Sequence, residues 1–514
     1  MALARSHAVA LFGLDGTLVD VEVDVSSNLP NFILVGLPDA SLAESVSRIR
    51  AACANSGATL PARRITVNLS PASVPKQGSG FDLAIAAAVL AAQDLVSRRL
   101  LMDSILLGEL GLDGSLRAVS GVLAITLAAK RLGFGRIIVP TANAAEAHLV
   151  DDIEVISLDH LRQLMSGASG VGDSASLAVS TRASVAKTET ASQTQSSTVP
   201  DLVDVVGQPD AIRALEVAAA GAHHLLLVGP PGAGKTLLAE RLPGILPTLT
   251  AEQAIETLAI RSLRNQVQVT GLNLLPPFEA PHHGVSQAAL IGGGSGIPRP
   301  GLASMAHNGV LFLDEAPEFS ASVLDSLRQP LESGELVLSR SLGTARYPAS
   351  FQLVLAANPC ACGQSQTGGK QCQCSHTQRQ RYLSRLSGPL LDRIDIRYRV
   401  SRVKSLAANS GGTTSQEVRE RVASARARAA DRLKGTPWRV NARVPGVYIR
   451  QHLRPPKAST KHLDAALASG RLSMRGYDRC LRLAWTIADL SALDMPGSDE
   501  IAAASILRSG DAGL

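Results

Sequence analysis

The spacing of apolar and polar residues divides the chain into two stretches of regular elements with a different kind of segment between them. Residues 166–199 are rich in Ser, Thr, Ala and Gly and carry almost no large apolar side chains, which is typical of a flexible linker. The stretch before it, residues 1–165, mixes β-branched runs with Ala-rich runs and predicts an α/β or α+β domain. We expect its strands at 64–70 and 136–140 and its helices at 83–93 and 119–132.

After the linker, short apolar runs alternate with helical periodicity as far as about Val400, which predicts an α/β core over residues 200–400. The remaining residues, 401–514, have helical periodicity and predict a helical domain. Strands are expected at 225–228, 310–313 and 353–357, and helices of the last part at 416–434 and 473–490.

Composition limits the classes of protein to which the chain can belong. Of its 514 residues 45% are hydrophobic, so sizeable cores can form and global disorder is excluded. No uncharged apolar run reaches the roughly 18 residues of a membrane-spanning helix. Gly13 and Asp15 interrupt the N-terminal segment where a signal peptide stays apolar, so we expect a cytoplasmic protein. Only 3% of the residues are aromatic, so base stacking should not dominate contacts with nucleic acid.

The net charge of +6 hides an uneven distribution along the chain. Residues 376–514 carry 25 Lys and Arg against 12 Asp and Glu, whereas residues 1–375 carry 25 against 32. Such a split indicates a polyanionic partner for the basic part, with nucleic acid as the candidate. The alternative, which the sequence leaves open, is that these cations lie on solvated helix faces.

One segment carries the signature of a phosphate-binding loop. It follows the strand predicted at 225–228 and matches G-x-x-x-x-G-K-[ST], so backbone N–H groups and the following helix N-terminus would surround phosphate oxygens. Lys235 would reach the β- and γ-phosphates of ATP, and Thr236 would hold Mg²⁺. The eight residues are Gly229, Pro230, Pro231, Gly232, Ala233, Gly234, Lys235 and Thr236.

Polar residues at the ends of two further strands complete a hydrolytic site. Asp314 follows the strand at 310–313 and is the second candidate for the Mg²⁺ shell, and Glu315 is the candidate general base that polarises water. Asn358 ends the strand at 353–357 and would orient that water beside the γ-phosphate. The structural alternatives are that the acidic pair caps a helix and that Asn358 forms a turn with the following proline.

These residues resemble the AAA+ ATPases and, more narrowly, the magnesium-chelatase-like family often called YifB or ComM. The resemblance covers nearly the whole chain except the linker. It implies an α/β fold, an AAA+ P-loop NTPase core with a helical lid, preceded by a Lon-protease-like α+β domain of the ribosomal S5 domain 2 type. It also implies ATP and Mg²⁺ as cofactors and assembly into a ring, a hexamer by family precedent. The segments that carry it are 67–86, 282–315, 339–363, 387–396 and 473–490.

Three further roles come from the same resemblance. Asn358 resembles the sensor 1 residue of AAA+ proteins. Arg393 resembles the arginine finger that completes the site of the neighbouring subunit, and Arg475 resembles the sensor 2 arginine of the lid. For both arginines a salt bridge on the surface or at an interface remains the alternative.

Two insertions also fit this family. Residues 284–301 resemble its helix-2 insert, and residues 335–351 resemble the pre-sensor-1 hairpin that points into the pore of the ring, with the turn expected at 342–344. Arg340 and Arg346 flank that turn and are the candidate contacts to a DNA phosphate backbone. The alternative is that both are solvated hairpin charges.

The resemblance to Lon proteases does not extend to their Ser–Lys dyad. In the loop at 75–82 the position of the serine is taken by Gly80 or Asp82, and Leu123 stands where the lysine would fall. Because a serine hydroxyl without a base is a weak nucleophile, we expect a non-proteolytic domain. Ser79 remains a residual candidate, more in assembly or substrate engagement than in catalysis.

Four of the six cysteines fall within 15 residues and suggest a metal site rather than disulfides. Four thiolates satisfy a tetrahedral structural Zn²⁺ site, although C-x-C spacing is less usual than C-x2-C. The alternative is that the thiols bind no metal and are reduced or redox-sensitive. His376 is a further candidate for a zinc ligand, weaker than the four cysteines. Cys53 and Cys480 are expected to be buried apolar residues. The four clustered residues are Cys360, Cys362, Cys372 and Cys374.

Two functions from different classes remain open. The family resemblance and the basic C-terminal part favour a DNA motor of weak sequence preference, a helicase that promotes branch migration in recombination or DNA uptake. The second is an ATPase that remodels proteins, as the chelatase name suggests. Chelation itself and proteolysis are disfavoured, and no membrane partner is expected.

Overall fold

The computed structural model describes residues 2–36, 39–166, 200–264, 271–294, 296–340, 343–364, 372–403 and 412–509. The predicted linker at 166–199 therefore lies outside the described residues, except for Ser166, which ends a helix. Within the part of the chain that the structure describes, none of the helices is long and apolar enough to cross a bilayer.

The first part of the chain forms a seven-stranded mixed sheet with helices packed on it. The order of its strands is β3-β4-β2-β1-β5-β8-β9, in which β1 and β2 form a long antiparallel hairpin. Its elements are β1 (Ala2–Phe12), β2 (Asp15–Ser26), β3 (Asn31–Val35), α1 (Ala40–Asn55), β4 (Arg64–Ser70), α2 (Asp82–Ala91), α3 (Arg98–Met102), β5 (Ser104–Leu106), β6 (Glu109–Leu110), β7 (Leu116–Arg117), α4 (Val122–Arg131), β8 (Arg136–Pro140), α5 (Ala144–Ala147), β9 (Glu154–Leu158) and α6 (Arg162–Ser166).

The second part is built on a five-stranded parallel sheet of order β11-β14-β17-β10-β18. Its elements are α7 (Pro209–Gly221), β10 (Leu225–Val228), α8 (Lys235–Ile245), α9 (Ala251–Ser262), β11 (Phe278–Glu279), α10 (Gln287–Ile291), β12 (Gly292–Gly293), β13 (Arg299–Pro300), α11 (Leu302–Met305), β14 (Val310–Leu313), α12 (Ala321–Ser326), α13 (Arg328–Ser333), β15 (Glu335–Arg340), β16 (Gly343–Pro348), β17 (Gln352–Ala357), α14 (His376–Leu383), α15 (Gly388–Leu391) and β18 (Ile396–Arg399).

Helices cover both faces of this sheet, and its inner strands β10 and β14 are accordingly apolar throughout. Alternate residues of β10 point to the two sides: Leu225 and Leu227 join a core with α7, α8 and the C-terminal helices, whereas Leu226 joins a core with α12 and α13. The last part of the chain is helical, as predicted. It comprises α16 (Ser415–Arg432), α17 (Gly446–His452), α18 (Lys457–Ala468), α19 (Met474–Leu490) and α20 (Ser498–Ser509).

The predicted strands and helices are confirmed with ends that shift by up to three residues. The turn expected at 342–344 is wrong at two of its positions, because Gly343 pairs with Arg340 and Thr344 with Ser339 inside the hairpin. Leu342 lies outside the described residues. Gly343 begins its strand at a positive φ of 141°, with its Cα so near the ring of Phe12 that a Cβ would lie 2.9 Å from Cζ. Glycine therefore allows the strand to start immediately against the N-terminal sheet.

The first and second parts of the chain pack on one another. Leu123 and Ala124 of α4 share a small apolar core with Ala259 of α9. The turn between β1 and β2 covers the apolar face of the β15–β16 hairpin, where Phe12 packs on Leu338. One side of the hairpin is therefore buried against the N-terminal part.

Candidate active site

The loop that joins β10 to α8 has the geometry of a phosphate cradle. Gly232 and Gly234 adopt φ values of 75° and 90°, which turn successive backbone N–H groups to one side and which residues with a Cβ rarely adopt. A Cβ on Gly229 would lie 2.4 Å from the carbonyl oxygen of Val400, so the start of the loop also needs glycine. The eight residues predicted from the sequence thus lie at the carboxyl edge of the sheet, leading into the N-terminus of α8.

Lys235 lies inside this loop and is only 9% exposed. Its Nζ donates hydrogen bonds to the carbonyl oxygens of Gly229 (2.7 Å) and Pro230 (3.1 Å) and to Oδ1 of Asn358 (3.0 Å). Burial lowers the pKa of Lys235, and the nearby carboxylates of Asp314 and Glu315 oppose that shift. The structure therefore brings Asn358 and the lysine to the same point.

The two candidate Mg²⁺ ligands are also brought together. Thr236 Oγ1 donates a hydrogen bond to Asp314 Oδ2 at 2.7 Å. A hydroxyl and a carboxylate supply the oxygen ligands that Mg²⁺ prefers, so this donor set fits the ion.

Glu315 follows with an unusual backbone conformation. Its φ of 50° is left-handed, and its N–H donates to Oδ1 of Asp314 at 2.9 Å. The carboxylate is half-exposed, and its Oε2 lies 3.7 Å from Nδ1 of His283. Sequence reasoning missed His283, because the two-residue strand β11 that precedes it gives no detectable pattern in the sequence.

Two further contacts to the loop were missed as well. Gln208 Nε2 donates to the carbonyl oxygen of Ala233 at 2.8 Å, and the guanidinium of Arg402 donates to that of Pro231 at 3.4 Å. These residues come from the segments before α7 and after β18. Only the tertiary fold brings them to the loop, so no fixed spacing in the sequence marks them.

Arg393 and Arg475 lie away from the loop of their own chain. Both belong to the amino edge of the parallel sheet, where Asp395, just before β18, accepts a hydrogen bond from the N–H of His224, just before β10. Arg393 is ion-paired with Glu332, and Nη1 of Arg475 lies 3.8 Å from Asp392. Four-residue strands separate this edge from the phosphate loop by about 13 Å.

The two arginines of the hairpin lie on its opposite faces. Arg346 is paired in register with Val337, and its guanidinium contacts Glu335 at 3.1 Å. Arg340 is paired with Gly343 and lies on the other face. This is the face to which the buried Leu338, two residues earlier, also points. Both side chains are exposed.

The cysteine cluster is compact. The Sγ atom of Cys360 lies 3.4 Å from that of Cys362 and 3.7 Å from that of Cys372, and all four Sγ atoms lie within 4.8 Å of one another. Tetrahedral zinc with Zn–S bonds of about 2.3 Å sets sulfur atoms about 3.8 Å apart, so the four thiols fit that ion. Gly363 brings this segment against the phosphate loop, since a Cβ there would lie 2.6 Å from Pro231 Cδ. His376 is exposed and does not join the cluster.

The loop at 75–82 places Ser79 beside an acid rather than a lysine. Ser79 Oγ donates to Glu109, whereas the buried Lys76 donates to the carbonyl oxygen of Pro71. Burial lowers the pKa of Lys76. Asp82 is buried and paired with Arg48 at 2.8 Å. Among the described residues, those that line the cavity of about 360 Å³ at Ser79 include no lysine.

Comparisons with known protein families match three successive parts of the chain. Residues 21–143 match the description "Subunit ChlI of Mg-chelatase", residues 201–408 match "Magnesium chelatase, subunit ChlI", and residues 412–508 match "Magnesium chelatase, subunit ChlI C-terminal".

Similar proteins cover the chain almost from end to end. A protein of Mycobacterium tuberculosis is 50% identical over 99% of both chains. The protein YifB of Salmonella typhimurium is 41% identical over 96% of this chain and 94% of its own, and the competence protein ComM of Haemophilus influenzae is 42% identical over 95% and 94%. Lon protease 2 of Bacillus subtilis is 32% identical over 26% of each chain. The fold class expected from the sequence, an AAA+ P-loop core with a Lon-like part, is confirmed.

Proposed function

The chain belongs to the magnesium-chelatase-like YifB/ComM family of AAA+ ATPases, and from this we propose that it is a ring-forming motor that uses ATP hydrolysis to move DNA strands. The activity we assign to it is branch migration by a helicase in recombination or DNA uptake. One observation carries the ring: the two candidate arginines lie at the sheet edge opposite to the phosphate loop.

The nucleotide site works through residues of one subunit. The loop at 229–236 binds the phosphates of ATP, and Thr236 and Asp314 would hold Mg²⁺, which would neutralise negative charge on the phosphates. Glu315 accepts the proton of the attacking water, and Asn358 orients that water. Lys235 exchanges its carbonyl partners for phosphate oxygens.

A second subunit completes the site. Arg393 is the finger that stabilises the charge on the transferred phosphoryl group, and Arg475 is the lid arginine that accompanies it. Their ion pairs with Glu332 and Asp392 are replaced by contacts to the neighbour's triphosphate. Such head-to-tail contacts close into a ring when the rotation allows it, and a hexamer is the size we propose.

The hairpin supplies the candidate contacts to DNA. Arg346 is exposed on the face that is turned away from the N-terminal part, and Arg340 is exposed in the last pair before the turn, so a phosphate backbone that reaches the open side or the end of the hairpin meets a cation. The name of the Haemophilus relative, a competence protein, favours DNA as substrate. Contacts of this kind are to phosphates and give weak sequence preference.

The four cysteines are proposed to hold a structural Zn²⁺ ion. Bound there, zinc would fix the segment that follows Asn358 and packs on Pro231 of the phosphate loop. The domain boundaries that we propose remain 1–165, 166–199, 200–400 and 401–514, with the first domain non-proteolytic.

A protein substrate is the second candidate. It is favoured by the partial similarity to Lon protease 2 and by the many C-terminal arginines that bind other parts of their own chain. In this case the first domain would engage a polypeptide.

The test measures ATP hydrolysis with and without forked or four-way DNA at two salt concentrations. We expect DNA to increase the rate and binding to weaken as salt rises. Lys235→Ala should lose ATP binding, and Glu315→Gln should bind ATP without hydrolysing it. Absence of both stimulation and salt-dependent binding would refute the DNA motor and leave protein remodelling.

A further inference from the structure

Asp395, just before β18, is a buried carboxylate that binds groups from both the core and the lid, α16 to α20. It accepts a hydrogen bond from the guanidinium of Arg479 in α19 and another from the N–H of His224 at 3.3 Å. Burial alone would raise the pKa of Asp395, but the attraction of Arg479 and the contact with His223 hold it well below its usual range. The carboxylate is therefore charged, and an arginine of the lid is its counter-ion.

Arg479 also binds the backbone of the finger segment, residues 391–395. The Nη1 that binds Asp395 donates a second hydrogen bond to the carbonyl oxygen of Arg393 at 3.2 Å. From α20, the guanidinium of Arg508 donates to the carbonyl oxygen of Ile394. The side chain of Arg479 is only 15% exposed, and burial lowers the pKa of Arg508 to about 10. Two buried cations of the lid therefore hold the backbone at the candidate finger.

The side chain of Arg393 is held less firmly than its backbone. Its ion-pair partner Glu332 is 65% exposed, so solvent screens the attraction between the two charges. Its buried Nε has no hydrogen-bond partner among the residues that the structure describes. The guanidinium is therefore free to exchange its present partners for a phosphate while the backbone keeps its place.

Arg475 lies one helical turn before Arg479, so the two side chains share a face of α19. Burial lowers the pKa of Arg393, and the neighbouring cations, Arg475 and Arg479 among them, lower it further. Like charges repel one another, so these guanidiniums need a fixed support to stay close together. The contacts of Arg479 with Asp395 and with the backbone of Arg393 supply that support.

We propose that Arg479 is a positioning residue for the arginine finger, which holds the backbone of Arg393 to the helix that carries Arg475. The proposal rests on the roles assigned to Arg393 and Arg475 above. The planar guanidinium of Arg479 binds a carboxylate and a carbonyl oxygen at once, which a single ammonium does less well. Charge that is already in position stabilises a transition state without rearrangement during the reaction, so loss of this contact lowers the rate of hydrolysis in the neighbouring subunit.

The first experiment compares kcat and the Kd of ATP in the full-length protein. Arg479→Lys keeps a positive charge beside Asp395 but loses the second contact, so kcat should fall about tenfold and Kd should change less than about threefold. Arg443→Lys is the matched control, because Arg443 joins the lid to the core through Ser350 Oγ at 2.7 Å, outside the finger segment. It should lower the melting temperature about as much as Arg479→Lys but change kcat less than about threefold. Equal losses of kcat in the two variants would refute the role of Arg479.

A mixing experiment shows whether the defect lies in the finger that a chain offers to its neighbour. Arg479→Lys chains keep a sound phosphate loop, and Lys235→Ala chains keep a sound finger. In a ring mixed at equal amounts, about one quarter of the interfaces join the two, so the rate should rise from about one tenth to about one quarter of the parental rate. Arg479→Lys mixed with Arg393→Ala should stay at or below the rate of Arg479→Lys alone, because neither chain offers a sound finger.

The outcomes separate this proposal from the function on which it rests. If Arg393→Ala alone hydrolyses ATP at the parental rate, the assigned finger is wrong. If Arg393→Ala is inactive while Arg479→Lys matches the parent, the role of Arg479 alone is refuted. The same follows if Arg479→Lys assembles with Lys235→Ala chains and the rate does not rise, since the defect then lies within its own subunit.

Discussion

Lys235 is a buried cation whose three hydrogen-bond partners are neutral oxygens. A buried ammonium whose hydrogen-bond partners are all neutral is unfavourable, and burial lowers its pKa, while the carboxylates of Asp314 and Glu315 oppose that shift. A phosphate oxygen gives it a charge-assisted hydrogen bond, about twice as strong as a neutral one. Lys235 therefore gains more binding free energy from a phosphate than an exposed lysine would. For this reason we expect Lys235→Ala to lose ATP binding.

The six thiols fall into two groups that a simple reagent can distinguish. Burial raises the pKa of Cys53 to about 12 and that of Cys480 to about 11, so neither forms reactive thiolate near neutral pH. In protein freed of metal, we expect the fast-reacting thiols to come from the cluster, and zinc to protect them. All six should react after unfolding in denaturant. Thiol titration with and without zinc measures this.

The control for the thiol titration is Cys372→Ser, which should lose one cluster thiol and most of the protection by zinc. If zinc leaves the number of fast thiols unchanged in the parent protein, the metal site is wrong. If Cys53 or Cys480 reacts as fast as the cluster in folded protein, their burial is wrong.

At the scale of single residues, the sequence allows a prediction where a fixed spacing encodes the geometry. Lys235 and Thr236 follow a loop whose length is set by the phosphates that it surrounds, and Asp314 follows a four-residue apolar run that is typical of a buried strand. Gln208 and Arg402 reach the same loop from distant segments. Their contribution depends on tertiary packing and has no local signature.

The arginine-rich helix α16 shows what the charge split of the sequence means. Arg419, Arg426 and Arg428 donate to the carbonyl oxygens of Gly244, Ala219 and Asp489, which lie in the last turns of α8, α7 and α19. Cations satisfy the free carbonyls at helix C-termini and complement the helix dipole. Arg419 and Arg426 therefore hold the lid to the core, and composition alone could not separate this use of the positive charge from DNA binding.

Removing one of these capping arginines should therefore affect stability rather than DNA binding. Arg426→Ala leaves the carbonyl of Ala219 without its partner, and we expect the free energy of unfolding to fall by about 2 kcal/mol. Lys434→Ala removes the same charge from an exposed position near the end of α16 and should change stability by less than about 0.5 kcal/mol. Denaturant unfolding measures both.

DNA binding by Arg426→Ala and by Arg340→Ala gives a second measurement. Since the Arg426 guanidinium already binds a carbonyl, its removal should leave the salt dependence of DNA affinity unchanged, whereas Arg340→Ala should reduce the slope by about one. A lower slope for Arg426→Ala with unchanged stability would contradict the capping role.

The long hairpin of β1 and β2 is the largest of the elements that sequence reasoning missed. In β2, Val19, Val21 and Val23 alternate with polar residues and are fully buried, so the period-two signal was present. In β1, apolar residues occur without strict alternation, because helices α2 and α4 both pack on it. A short apolar run of that kind is compatible with a helix or a strand, and only the pairing with β2 resolves it.

At the scale of the whole molecule, the N-terminal part and the ATPase core are joined by direct packing. The N–H of Gly121 donates to the carbonyl oxygen of Ser262 at 3.1 Å, and Glu146 accepts hydrogen bonds from Ser262 and from the N–H of Leu123. The predicted linker indicated two separate bodies, and no sequence pattern revealed this interface, because its residues look like ordinary core positions of each part. The turn between β1 and β2 also covers one face of the β15–β16 hairpin. We therefore expect the hairpin and the N-terminal sheet to move together.

The separation of the phosphate loop and the arginines to opposite edges of one sheet leads to a prediction about mixed assemblies. A Lys235→Ala chain retains Arg393 and Arg475, and an Arg393→Ala chain retains the phosphate loop, so each should be inactive alone. In a head-to-tail ring mixed at equal amounts, about one quarter of the interfaces join a sound loop to a sound arginine. We therefore expect the mixture to regain up to about one quarter of the parental ATPase rate, because the finger acts in trans. Mixing Lys235→Ala with the double variant Lys235→Ala/Arg393→Ala should regain nothing, since no chain then binds ATP. If the first mixture stays inactive although size-exclusion chromatography shows that it assembles, Arg393 is confined to its ion pair with Glu332 and the shared site is wrong.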